Sequence, residues 1–258
     1  MTGAVLTTAL DKYQEQALRR KGVDNWPFIL LEAAVGLSLL VMSRQQPFPG
    51  PARRMGWLMI GVFALFVLAE SAPREVAVFS HLTLLIVLGG IGTLKGIHNM
   101  MITRREVLVA PFSGALFCAG SIGLMVQEWP NLSKFEHFAA FLTAVLLIGG
   151  QVWLVFRGLL IGRLPLAWSQ AGIQALQRGL IEGEHGAIWC FERAWDLEEE
   201  HLNPMAWIAL EKINRHLGNE KTADEWQTRA AESGGIEAVA SEWIDAIENA
   251  LEALTKVD

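Results

Sequence analysis

The sequence predicts an all-α chain in two unlike parts, a polytopic bundle of five membrane-spanning helices and then a soluble domain of paired helices. Three observations carry that expectation. Up to about Arg163, long apolar runs alternate with short loops bearing Pro and Arg. Beyond it, the runs give way to amphipathic helical patterns with acidic faces. The 258 residues are 52% hydrophobic and 19% charged, with a mean hydropathy of +0.32, and the charged residues lie mostly in the second part, so the average conceals a split. The division expected is an N-terminal amphipathic segment over 1–25, a membrane bundle over 26–163 and a soluble domain over 164–258.

Taken in order, residues 1–25 place Val5, Leu6, Leu10, Tyr13, Ala17 and Leu18 at helical spacing. That modest stripe suits either an interfacial helix or a solvated one. A bilayer core takes about twenty apolar residues per helix, and the segments 26–43, 55–72, 76–100, 107–127 and 138–162 meet or approach that length. The first is short and carries Pro27 and Glu32. Pro27 fits a first helical turn, where its missing N–H costs nothing. The breaks between segments are sharp: Pro47, Pro49 and Pro51, then Pro73 with Arg74, then Arg104 with Arg105, then Pro130 with Asn131.

Positive charge sets the orientation of membrane helices. Arg44, Arg53 and Arg54 in the first loop, Arg104 and Arg105 in the third, and Arg157 and Arg163 after the last segment share one face if all five cross. The opposite loops offer Arg74 and Lys134, offset by Glu75, Glu128 and Glu136. The soluble domain is therefore expected in the cytoplasm, at a bacterial inner membrane. Arg19, Arg20 and Lys21 pull the other way. With 26–43 re-entrant, four spans would remain and both termini would be cytoplasmic.

The soluble part, about 90 residues, is long enough for a small helical core. The acidic surplus behind the formal net charge of −6 resides there, with Glu182, Glu184, Glu192, Glu198, Glu199 and Glu200 prominent. No basic stripe with interleaved aromatics exists, which argues against nucleic acid as a partner. Cys118 and Cys190 lie far apart in apolar surroundings. They form neither a disulfide framework nor a metal-ligand spacing, and read as two buried thiols.

Within this part Ala187, Phe191 and Ala194 precede Ala223, Trp226 and Ala230, and both pairs of flanking alanines recur after 36 positions. Between them run Asn203, Pro204, Ala206, Trp207 and Leu210, then Leu217 and Gly218. This pattern resembles a tetratricopeptide (TPR) hairpin over about 65 residues, although the family's usual period is about 34. Residues 198–202 lengthen the turn, and 166–181 lack the family's Trp–Leu–Gly signature. The last helix, with Ile236, Val239, Trp243, Ile247, Leu251 and Leu254 on one stripe, fits a cap at the end of such a stack. The resemblance implies Phe191, Trp207, Leu210 and Trp226 as the repeat core. It also implies a groove that receives a peptide or partner helix, with Gln174, Arg178, Glu211 and Asn214 on the first helices as contacts. A plain helical bundle is the competing reading.

Ionisable residues inside membrane segments are costly and mark candidate sites. Glu32, Glu70, His81 and His137 fall at comparable depths, toward the face away from the soluble domain. Such a carboxylate–imidazole cluster suits proton relay, binding of a divalent metal or a partner's charge, against the plainer role of pairing at helix ends, as Glu70 with Arg74. Lys95 and His98 lie toward the basic face, where Lys95 reaches the headgroups. The run 112–117 is similar to the serine motif of rhomboid proteases, yet Ser113 and His137 fall near opposite faces of consecutive antiparallel spans, too far apart for proton transfer. Gly89, Gly90, Gly92, Gly96, Gly114, Ala115, Ala119, Gly120, Gly123, Gly149 and Gly150 favour close helix contact.

The function expected is an integral-membrane adaptor, assembly factor or accessory subunit, not an enzyme. Its partners would be other membrane-complex subunits or a cytoplasmic protein, besides the lipid bilayer, and neither cofactor nor metal is expected. The alternatives are a proton- or ion-coupled transporter component and a cofactor-binding subunit of an electron-transfer or light-harvesting complex.

Overall fold

The computed structural model describes residues 25–72, 76–160, 164–196 and 204–256. The expectations for 1–24, Arg74, Glu75, Arg163 and 198–203 lie outside those residues. Ten α-helices and no β-strand occur among the described residues. Five belong to the first part: α1 Trp26–Ser43, α2 Gly50–Glu70, α3 Val78–Ile97, α4 Val109–Glu128 and α5 Lys134–Val155. All five are long and apolar enough to cross a membrane. The remaining five are α6 Pro165–Gln177, α7 Ala187–Asp196, α8 Pro204–His216, α9 Glu220–Glu232 and α10 Ser241–Thr255.

The first segment is one uninterrupted helix of 18 residues with Pro27 in its first turn. Two others start earlier than the apolar pattern predicts. Helix α2 begins at Gly50, so Arg53 and Arg54 occupy its first turns rather than the preceding loop. Helix α5 begins at Lys134 because Ser133 accepts from the Glu136 N–H while the Glu136 carboxylate accepts from the Ser133 N–H, a capping box.

Glycine sets the closest packing in this half. A Cβ added to Gly96 would strike the Ala110 backbone nitrogen, and one on Gly89 the Phe117 nitrogen. Helices α3 and α4 thus approach backbone to backbone, along a face that also uses Gly92 and Gly120. Gly36 and Gly56 do the same for α1 and α2, the Gly36 carbonyl lying 3.0 Å from a Cβ position on Gly56. Gly149 and Gly150 have open space around them. Helix α5 is held instead by Gln151, whose amide donates to the Pro111 carbonyl at 2.8 Å and whose oxygen fills the gap above Gly114.

The second half has its own core. Trp168, Leu176, Cys190, Phe191, Leu210, Ile213, Ile247 and Leu251 meet around Ala187, Ala194, Ala206 and Ala209. Helices α6 and α7 form one antiparallel pair and α8 and α9 a second, with α7 packed against α8. Gly218, at φ 77°, takes the left-handed turn between α8 and α9. Helix α10 departs from the expected cap. Gly234, at φ 94°, reverses the chain, and α10 returns across α6 and α8. There Lys212 pairs with Glu248 at 2.7 Å, and Leu254 lies beside Gly179.

The two halves meet at one end of the bundle. Phe48, in the loop between α1 and α2, packs against the core of the second half, and Arg105 lies 5.5 Å over its ring.

Candidate functional site

At the opposite end, three helix termini converge on a polar knot. The Glu70 carboxylate at the end of α2 accepts from the Asn25 amide at 2.7 Å. The same amide donates to the Val76 carbonyl ahead of α3 at 3.0 Å. His81, one turn into α3, is buried, with its Nε2 at 3.6 Å from Glu70. The Phe66 ring covers the imidazole at a centroid distance of 3.8 Å. Asn25 thereby ties the starts of α1 and α3 to the end of α2, using a carboxylate that would otherwise face apolar surroundings unpaired.

Of the four intramembrane residues singled out by sequence, the structure joins Glu70 and His81 only. Glu32 lies about 10 Å further along α1 than Asn25. It is fully buried, and neither carboxylate oxygen has a hydrogen-bond partner among the described residues. His137 belongs to a local arrangement, its Nε2 at 3.0 Å from the Trp129 carbonyl and its ring 4.4 Å from the Trp129 ring. The comparable depth expected of the four does not hold for Glu32, which lies about two turns further in than the knot, and His137 is engaged at Trp129 instead. Ser113 likewise sits under Gly92, away from His137.

The second half treats its predicted residues unequally. Phe191 and Leu210 are fully buried in its core, and Trp226 packs on that core with its ring 5.8 Å from Trp195. Phe191 needs Gly172 opposite it, where an added Cβ would sit 2.8 Å from the ring. Trp207 is half-buried outside that core, its indole N–H enclosed without a partner among the described residues. The four expected contact residues do not form one open surface. Asn214 is buried, its amide donating to the Leu210 carbonyl at 2.8 Å, so it is withdrawn from the surface. Glu211 accepts from Arg215 at 2.8 Å, the guanidinium that also reaches Glu220 and Gln227 and so ties α8 to α9. Gln174 and Arg178 face the membrane half across a cleft. Helix α10 packs on both of the helices that carry these four residues, α6 and α8.

Cys190 is buried, and burial pushes its thiol up to about 12 against the opposing charge of Arg193. Cys118, expected buried, is partly exposed, with its thiol directed to the Leu147 carbonyl at 3.4 Å.

Three positioning residues escaped the sequence pattern. Asn25 and Gln151 are uncharged polar residues in or beside apolar segments, where a charge-based search passes over them. Glu106 is fully buried between α3 and α4. One of its oxygens accepts from the Leu108 and Val109 N–H groups, closing the start of α4. Burial raises its carboxyl above the ordinary value, while those backbone donors and Asn99 oppose the shift. Its place beside Arg104 and Arg105 masks it as loop charge.

Compared with protein-family models, curated proteins and solved structures, the chain matches none.

Proposed function

We propose that this chain is an integral-membrane adaptor or accessory subunit that presents its second half to a protein partner at the membrane surface. The observation that carries this reading is the placement of charge on a domain with a core of its own. Glu220, Asp224, Glu225, Glu232, Glu237, Glu242, Asp245, Glu248 and Glu252 are all exposed on α9, α10 and the turn between them. Glu220, Asp224, Glu248 and Glu252 pair with Arg215, Lys212 and Lys256; the remaining acidic surface is repelled by anionic headgroups and open to a partner with basic character. Phe48 roots the domain on the bundle, so a docked partner would be held at a defined place beside the membrane.

The tetratricopeptide likeness supports the reading through the paired helices and buried alanines. The contact surface proposed shifts to the acidic residues of α9 and α10, since Asn214 is buried and Gln174 and Arg178 face the bundle. With the Arg-rich loops on the domain's side of the bundle, the positive-inside rule favours a cytoplasmic domain at a bacterial inner membrane. The test is quantitative mass spectrometry of proteins co-purifying in mild detergent with wild type and with Glu225→Lys/Glu232→Lys/Glu252→Lys. The reading expects specific partners, depleted at least tenfold by the charge reversal; equal recovery would refute the acidic face as docking element.

One observation favours a second reading, a proton- or ion-coupled transport component: Glu32 is buried in the bundle without a partner among the described residues, and Glu70 and His81 pair at one end of it. Transport abolished by Glu32→Gln, with partner recovery unchanged, would establish it over the adaptor.

A further inference from the structure

We infer that the domain-facing end of the bundle holds an anionic phospholipid, its phosphate against Arg54, Arg105 and Arg178 and one acyl chain in the apolar groove that continues from that site between α2 and α3. Two adjoining cavities carry this. The first, about 570 Å³, is walled by Arg54 from α2, by Asn99, Thr103 and Arg105 from the end of α3 and its following loop, and by Gln174 and Arg178 from α6. That volume falls in the range of about 300–1,000 Å³ typical of small-molecule sites. Every charged residue in that wall is cationic, and no carboxylate of the described residues lies in ion-pair distance of the three arginines. Arg105 is steadied over the Phe48 ring. Three guanidiniums without a counter-ion among the described residues, beside amide and hydroxyl donors, form a phosphate-recognising set.

The second cavity, about 280 Å³, shares Pro51, Arg54 and Asn99 with the first. Its further walls are apolar, among them Met55, Leu58, Leu88 and Ile91, with Lys95 at its edge. Leu58 lies one turn beyond Arg54, about 6 Å deeper along α2, so the groove runs from the charged end toward the bilayer interior. A free phosphate or a soluble anion would use the first cavity alone; an anionic lipid uses both. A zwitterionic lipid would bring its own cation against the arginines.

Native mass spectrometry of the full-length protein in detergent, titrated with phosphatidylglycerol, phosphatidylcholine or inorganic phosphate, tests the assignment. The expected result is one phosphatidylglycerol per chain, held at least tenfold more tightly than phosphatidylcholine. Arg54→Gln/Arg105→Gln/Arg178→Gln should weaken it at least tenfold, and so should Ile91→Trp, which fills the groove from a lipid-exposed position; both variants should retain the wild-type melting temperature. Equal binding of the two lipids, or phosphatidylglycerol binding unchanged in the arginine variant, would overturn the proposal. Arginine-dependent binding of inorganic phosphate that displaces the lipid, with Ile91→Trp without effect, would make the cleft a soluble-anion site and overturn the lipid assignment.

Discussion

The two halves of this chain solve the same problem, helix packing, with different small residues. In the membrane half glycine does it: Gly89 and Gly96 let α3 touch the backbone of α4. No hydrophobic drive acts between helices in lipid, so close backbone contact and a few polar bonds hold the bundle. In the other half alanine does it. Ala187, Ala194, Ala206 and Ala209 are fully buried, and Phe191, Leu210 and Ile213 fill the space they leave. Here water drives burial of large side chains, and Ala also spares the helix the cost of glycine. The lesson is that a small residue on a helix face reports close approach in both environments, but only its chemical neighbours say what pays for that approach.

The largest expected effect is on the water-exposed side. Phe191→Ala should destabilise the second half by about 3–5 kcal/mol, read as an early unfolding transition, while the five spans keep their helicity. Gly96→Val should cost at least the ~1–3 kcal/mol of ordinary overpacking, because backbone rather than a movable side chain stands in the way. It should lower the melting temperature of the bundle in detergent and leave the core around Phe191 intact. An equal loss in both halves from either change would erase the distinction between them.

Gln151→Leu should cost less, about 0.6–1.7 kcal/mol for one interhelical hydrogen bond in a membrane protein. Helix α5 should then be the first span released, as measured by exchange or cross-linking to α4. The smallest effect belongs to Glu106, outside the spans. Its carboxyl is raised above the ordinary 4.5 by burial, so the folded state binds more protons than the unfolded chain between those two values. Stability should therefore fall as pH rises from about 4.5 through the folded value, and Glu106→Gln should flatten that slope. The measurement is the melting temperature across that range.

Much of this fold was legible in the sequence, for reasons specific to each part. Apolar runs of span length bounded by Pro and Arg gave five helices, since bilayer thickness fixes helix length. Their starts were less legible. Apolarity does not register Arg53 and Arg54 in the first turns of α2, nor the Ser133–Glu136 box that opens α5. Depth put Glu70 and His81 at one level, and the structure brings them together. It does not bring Glu32 or His137 to them: Glu32 lies about two turns further along α1 than the knot, and His137 is engaged locally at Trp129. Asn25 and the cleft at Arg54, Arg105 and Arg178 are products of loops and chain reversal, which leave no periodic signal. The fate of α10 was hidden for the same reason. Its stripe announced one buried face, and only the turn at Gly234 decides which helices that face covers.

The central claim is that the second half is the docking element and the bundle its anchor. The direct measurement is quantitative mass spectrometry of what co-purifies with the full-length protein and with a chain ending after Arg163, the latter first shown to elute as a single species with its spans helical. Loss of specific partners along with the second half is the predicted result. Partners retained by the shortened chain would make the bundle the binding element and contradict the account.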